Sequence, residues 1–202
     1  MTHHFAVIDL GSNSARMTIW EIEQEVVKPI KRLKEMVRLS EDMGPDRVLQ
    51  PAAMDRTLKA LQGFKTELNK YADIDLKAVA TAAVRQAKNQ KEFLKRVKNE
   101  AGLIINVIPG TREAEYDFLG VINTLPIQNA LIMDTGGAST ELILVQNRKL
   151  QHLVSIPFGS VNLSERFLNP DVISAPEYFA LSTFIHETFN SIWWLRRAKN
   201  LP

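Results

Sequence analysis

Two short stretches carry more polar chemistry than a hairpin turn needs. The first runs Asp9-Leu10-Gly11-Ser12-Asn13-Ser14 after the apolar residues FAVI. The second runs Asp134-Thr135-Gly136-Gly137-Ala138-Ser139-Thr140-Glu141, between ALIM and LILV. Glycines let backbone N–H groups approach an anion, and successive N–H groups in a turn make a concave anion site. Ser12, Asn13, Ser14, Ser139 and Thr140 add side-chain donors around the same point. An aspartate beside such a cradle repels a bare phosphate, so the arrangement makes sense with a divalent cation between them. Mg²⁺ takes one or two carboxylates together with waters and phosphate oxygens. Asp134 and Glu141 are therefore candidate ligands, directly or through water. Two cradles of this kind would hold adjacent phosphates of one substrate.

The two stretches are related. With Asp9 aligned on Asp134, an offset of 125, Gly11 falls on Gly136, Ser14 on Ser139 and Met17 on Leu142. Unrelated hairpins also use Gly and Ser. A shared Asp-x-Gly-x-x-Ser pattern in matching strand contexts favours duplication, with each copy opening a lobe.

The flanking patterns supply the elements that must position these turns. Residues 5–10 read as a buried strand and 15–23 alternate like a half-exposed one, so the pair is a hairpin. A third, irregular strand falls within 25–38, interrupted by Pro29. Pro51 begins a helix whose Leu58, Leu61, Phe64, Leu68 and Tyr71 form one buried face. Residues 76–84 are a strand candidate with a helical alternative, 88–101 a charged helix stopped by Gly102, 105–108 a short strand and 111–124 a helix. Three further strands then follow, and a helical segment covers about 175–200. Pro126 and Asn129 mark a joint, giving lobes over 1–124 and 125–202.

Composition limits the classes available. The 202 residues are 45% hydrophobic and 24% charged, as in an ordinary globular protein. A net charge of +2 gives no bulk signal for nucleic acid, and none is expected as a partner. Absence of cysteine excludes disulfides and thiolate chemistry and fits a reducing cytoplasm. No apolar run approaches the roughly 20 residues that span a bilayer, so no membrane partner is expected. The four histidines show no metal-binding spacing, and none is placed to make Ser139 a triad nucleophile.

The ordered set DLGSNS, TAAVR, PGTREAEYDFLGV, DTGGASTEL and PFGSVNLSERF resembles the exopolyphosphatase and guanosine pentaphosphate phosphohydrolase family. The resemblance covers nearly the whole chain. It implies an α/β protein of the actin/Hsp70/sugar-kinase-like fold, with two ribonuclease-H-like lobes and a cleft between them. It also implies Mg²⁺-dependent release of terminal phosphate from inorganic polyphosphate or of the 5′ γ-phosphate from pppGpp. By resemblance Asp9, Gly11, Ser12, Asn13 and Ser14 form the first phosphate loop. Gly136, Gly137, Ala138, Ser139 and Thr140 form the second, and Asp134 and Glu141 are the metal-linked acids. The catalytic base falls on Glu113, in TREAEY, and Arg85 matches an arginine at a strand end that contacts phosphate or positions the base. Read without the family, Glu113 suits a helix N-terminus and Arg85 an exposed surface.

This chain departs from the family in carrying Glu115 where an arginine is usual and Arg112 where an acid is frequent. Arg16, just after the first loop, has no assigned role. The chain ends about where the family's next strand is expected, so the second lobe is expected to be incomplete. For the full-length protein a homodimer is left open as an assembly. The basic stretches 31–38 and 85–98 would help to capture a polyanion, or are solvated faces. A binding module for polyphosphate or a guanosine penta- or tetraphosphate, without turnover, is the alternative to hydrolysis, and a kinase of the same fold is a weaker third reading.

Overall fold

The structure is a computed structural model and describes residues 3–24, 26–169 and 171–201. It divides into two compact units, Met1–Ile108 and Pro109–Pro202.

The first unit is built on β1 (His3–Leu10), β2 (Ser14–Glu23), β3 (Val26–Met36), β4 (Ile74–Ala80) and β5 (Asn106–Val107), in the order β3-β2-β1-β4-β5. The first three strands are antiparallel neighbours, whereas β4 pairs parallel with both β1 and β5. Alternate residues Ala6, Ile8 and Leu10 of β1 and Ala15, Met17 and Ile19 of β2 are buried, as period-two strands with one packed face require. Against that face lie α1 (Pro51–Leu68), through Leu61 and Phe64, and α3 (Gln90–Arg96), through Phe93. The helix expected over 88–101 is α3 continued as a π-helical turn, Val97–Ala101, and it stops at Gly102 with φ +64°. Residues 76–84 divide between the two readings open to them. The strand ends at Ala80, and a short helix α2 (Ala82–Gln86) follows. Pro29 does not break β3. The strand absorbs it in a β-bulge, where Ile19 pairs with Lys31 and Trp20 with Pro29.

In the second unit β6 (Ala130–Thr135), β7 (Thr140–Gln146) and β8 (Lys149–Ile156) form an antiparallel sheet. β7 is buried on both faces. On one face α4 (Gly110–Thr124) sets Ala114 and Ile122 against Ile143 and Val145. On the other, Leu142, Leu144, Ile156 and Phe158 meet Leu163 of α5 (Ser160–Phe167), Phe184 and Phe189 of α6 (Ala175–Ser191), and Trp194 of the 3-10 helix Trp193–Asn200. The division between units falls at 108/109, ahead of α4, whereas Pro126 and Asn129 of the sequence mark a joint near 125. The physical cause is the apolar stripe of α4, which is buried on the second sheet.

The repeat is legible in the backbone. Leu10 pairs with Ala15 and Asp9 with Arg16; at the same offset of 125, Thr135 pairs with Thr140 and Asp134 with Glu141. The register shifts also coincide, at Ile19/Trp20 and at Leu144/Val145. Bulges are retained features of a sheet rather than accidents, so their recurrence at one offset supports duplication independently of the sequence match.

Candidate phosphate and cation site

Each glycine turn is closed by the same hydrogen bond. Gly11 N–H donates to Ser14 O at 3.0 Å, and Gly136 N–H donates to Ser139 O at 2.9 Å. What braces the turns differs. In the first, Ser12 O accepts from Ser40 N–H at 3.0 Å, and Asn13 O accepts from Val37 and Arg38 N–H at 3.0 and 2.9 Å. In a trans peptide the C=O and the following N–H point in opposite directions. Anchoring those two carbonyls therefore aims the N–H groups of Asn13 and Ser14 away from the 37–40 segment.

The second turn is braced by the start of α5. Gly136 O accepts from Ser160 N–H at 2.9 Å and from Ser160 Oγ at 3.2 Å, and Gly137 O accepts from Val161 N–H at 2.9 Å. The N–H groups of Gly137 and Ala138 are thereby aimed away from α5. Gly159 sits between, and a β-carbon there would lie 2.7 Å from Ala138 N and Gly137 C. Asn162 Oδ1 accepts from Gly159 N–H at 2.8 Å and fixes the entry to the helix. Sequence reasoning included PFGSVNLSERF among its motifs without seeing this role. The glycine directly before a polar first helical turn was the available signal.

Asp134 and Glu141 lie directly opposite one another on β6 and β7, so their side chains share a face. Asp134 is exposed, while Glu141 is 1% exposed. A buried carboxylate needs partners. Glu141 Oε1 accepts from Ser155 Oγ at 2.7 Å and Oε2 from Ser139 Oγ at 3.4 Å. Ser155, on β8 opposite Glu141, is the residue the sequence reading missed. Alternation along β8 places it on this face, but nothing marks it out among serines. Thr140 Oγ1 donates to Phe158 O at 2.8 Å and ties the turn inward. Two carboxylates on adjacent strands beside hydroxyls and turn amides form an all-oxygen donor set. Such a set fits Mg²⁺ with phosphate oxygens and waters completing the shell.

Glu113 is half-buried in the first turn of α4, its N–H bonded to Pro109 O at 3.1 Å. The far end of that helix is fixed by Arg148 in the β7–β8 turn, which donates to Ile122 O at 2.6 Å and Ile127 O at 3.1 Å. Arg148 holds φ +59° to do so. Ile122 is 12 residues beyond Gly110, roughly 18 Å of helix. Near its first turn α4 is held by Ala114, buried in one cluster with Ile143 and Val145 of β7, the strand that begins with Thr140 and Glu141. An acid there also complements the helix dipole. Arg112 Nη1 meets Glu115 Oε2 at 2.6 Å on the exposed side, so the exchanged charges form an i,i+3 pair.

Within the first unit, Arg85 lies in the last turn of α2 rather than at a strand end. Its Nη1 donates to Ile108 O at 3.0 Å, which braces the segment just ahead of α4. Arg16 stands directly opposite Asp9, in the position that Glu141 occupies in the second unit. Asp9, Gly11, Ser12, Asn13 and Ser14 thus share one turn, and Asp134, Glu141 and Gly136 to Thr140 share the other.

A strand–turn–strand sheet opened by Asp-x-Gly and repeated once, with helices packed on its faces, defines the actin/Hsp70/sugar-kinase-like class. Within that class the chain belongs to the Ppx/GppA phosphatase family, whose sequence pattern matches residues 18–198. It is 35% identical over 172 residues to the bifunctional 3-dehydroquinate synthase/phosphatase of Fusobacterium nucleatum, covering 80% of this chain and 26% of that protein. It is 34% identical over 177 residues to the guanosine-5'-triphosphate,3'-diphosphate pyrophosphatase of Pseudoalteromonas atlantica, covering 87% and 35%. The crystal structure of an exopolyphosphatase from Cytophaga hutchinsonii superposes with a TM-score of 0.87 at 29% identity, over 98% of this chain and 63% of that one. The chain thus spans about a quarter to a third of these curated relatives and under two thirds of the solved one. Among the described residues no helix is long and apolar enough to cross a membrane.

Proposed function

We propose that the protein hydrolyses a terminal phosphoanhydride, releasing phosphate from inorganic polyphosphate, from the 5′ end of pppGpp, or from both, with Glu113 as the base. One observation carries this reading. The first turn of α4 bears Glu113, and the adjacent Ala114 is buried in one cluster with Ile143 and Val145 of β7, the strand that begins with Thr140 and Glu141. The family and the printed names of its relatives supply the substrate class.

Phosphoryl transfer asks the protein chiefly for positioning and charge neutralisation. The N–H groups of Gly137 and Ala138, and of Asn13 and Ser14, would bind phosphoryl oxygens. Asp134 and Glu141 would hold Mg²⁺, which neutralises charge on those oxygens. Glu113 orients a water and takes its proton as the water oxygen bonds to phosphorus and the bridging P–O bond breaks. Ser155 and Ser139 fix the rotation of the Glu141 carboxylate.

The test is phosphate release from polyphosphate and from pppGpp by the protein and by Glu113→Gln. Loss of a positioned base costs about 10²–10⁴-fold. An unchanged rate in the variant removes the base role. Tight binding of either substrate with no turnover by the unaltered protein would instead identify a binding module.

A further inference from the structure

Away from the phosphate turns, β3 is anomalous. It is an 11-residue edge strand that pairs only with β2, and every residue except Leu33 is exposed. Val26, Val27, Ile30 and Met36 are among its exposed residues. Lys28, Lys31, Arg32 and Lys34 outnumber the single acid Glu35. Among the described residues none of these four cations forms a close ion pair, although Lys31 acts on Glu67 through its charge. An edge of this length presents unpaired N–H and C=O groups, a template for another strand.

Beside the Lys31–Met36 half lies a groove of about 430 Å³, whose apolar lining includes Leu33, Gly63 and Phe64 and whose charged lining is Glu35, Arg56 and Lys59. Gly63 has no local explanation. It stands inside α1, where glycine is a poor helix former, and a β-carbon added to it meets nothing within 4 Å. Its bareness widens the groove beside the free edge.

We propose that this edge and groove bind an extended acidic peptide of a partner protein, added to β3 as a strand with one apolar side chain seated over Gly63. Strand addition supplies main-chain hydrogen bonds, and a pocket for one side chain supplies selectivity. Charge complementarity selects the occupant. A second copy would bring four cations against four, whereas an acidic strand meets them favourably. A polyanion without side chains would leave the apolar groove unused. Pro29 lacks an N–H, so the ladder runs over Lys31–Met36.

The probes are three fluorescein-labelled peptides of sequence Glu-Val-Glu-X-Glu-Val-Glu, with X as Leu, Phe or Met, titrated against the whole chain by fluorescence anisotropy. At least one binds. Binding weakens tenfold or more in the Lys31→Glu/Lys34→Glu double variant and in Gly63→Leu, which fills the groove. It is lost when alternate peptide amides are N-methylated, and amide exchange slows over residues 31–36 in the complex. Far-UV circular dichroism confirms that the variants are folded. Absence of binding by all three peptides overturns the proposal. So does binding insensitive to N-methylation and competed by inorganic polyphosphate, or a self-association of the chain that itself protects residues 31–36.

Discussion

Gly159 abuts Gly136 so closely that only a hydrogen fits between the α-carbon of one and the carbonyl oxygen of the other. The contact joins two loops more than twenty residues apart and sets the shape of the second phosphate turn. Gly159→Ala forces either the turn or the start of α5 to move. Overpacking of this kind costs about 1–3 kcal/mol, and about 2–4 °C of Tm accompanies each kcal/mol in a chain of this size. Thermal unfolding measures that loss. Phosphate release falls with it, because the displaced atoms belong to the turn itself.

Ser155 gives a way to perturb the cation site without touching a candidate ligand. Ser155→Ala removes the 2.7 Å hydrogen bond that the buried Glu141 carboxylate accepts. The expected destabilisation is about 1–3 kcal/mol. If Glu141 holds Mg²⁺, the Mg²⁺ concentration for half-maximal activity rises roughly 10–100-fold, as for other groups that orient a metal ligand. A Mg²⁺ titration of initial rates separates this shift from a simple loss of folded protein.

The Arg112–Glu115 pair predicts a small effect. Both side chains are substantially exposed, and exposed helix pairs contribute about 0.2–0.5 kcal/mol. Its present orientation sets a cation at the helix N-terminus, against the dipole. The Arg112→Glu/Glu115→Arg exchange keeps the pair and reverses that conflict, so it stabilises the chain by a few tenths of a kcal/mol (roughly the size of one such pair). Chemical denaturation in parallel with the two single variants gives the coupling.

Acid loosens the start of α6. Glu177 closes a capping box with Ser174, accepting from its hydroxyl and its N–H, both at 2.7 Å, and from Asn169 N–H at 3.0 Å. The bond from the Ser174 hydroxyl, foremost, holds the Glu177 carboxyl below its ordinary value. A carboxyl lowered in the folded state contributes stability above its unfolded value, and that stability is lost as pH falls through the folded value. Amide exchange at residues 175–178 therefore speeds up on acidification below the ordinary carboxylate range. Glu177→Ala flattens that dependence and exchanges faster already at neutral pH.

The turns, their offset and most strands were legible from the sequence because each is a local pattern. Asp9 to Ser14 and Asp134 to Glu141 announce themselves through unusual composition next to apolar runs. The bracing of the second turn was not legible, since Gly159 acts through atoms distant in sequence and has an unremarkable φ. Ser155 was hidden for the same reason, as strand alternation fixes its face but not its partner. For α4, the spacing of Ala114, Phe118 and Ile122 shows an apolar stripe without showing which sheet receives it. That is why the joint placed near 125 and the division at 108/109 differ. Residues 76–84 were ambiguous because an alanine-rich segment suits both states, and it contains both.

The two phosphate turns share a register and a closing hydrogen bond but not a sign. Asp9 faces Arg16, while Asp134 faces Glu141. The scaffold thereby separates shape from polarity. A single position opposite the strand-end aspartate decides whether a turn is balanced or doubly acidic, and the backbone is indifferent to the choice. Duplication delivered two copies of one mould, and one side chain in each made them unequal partners.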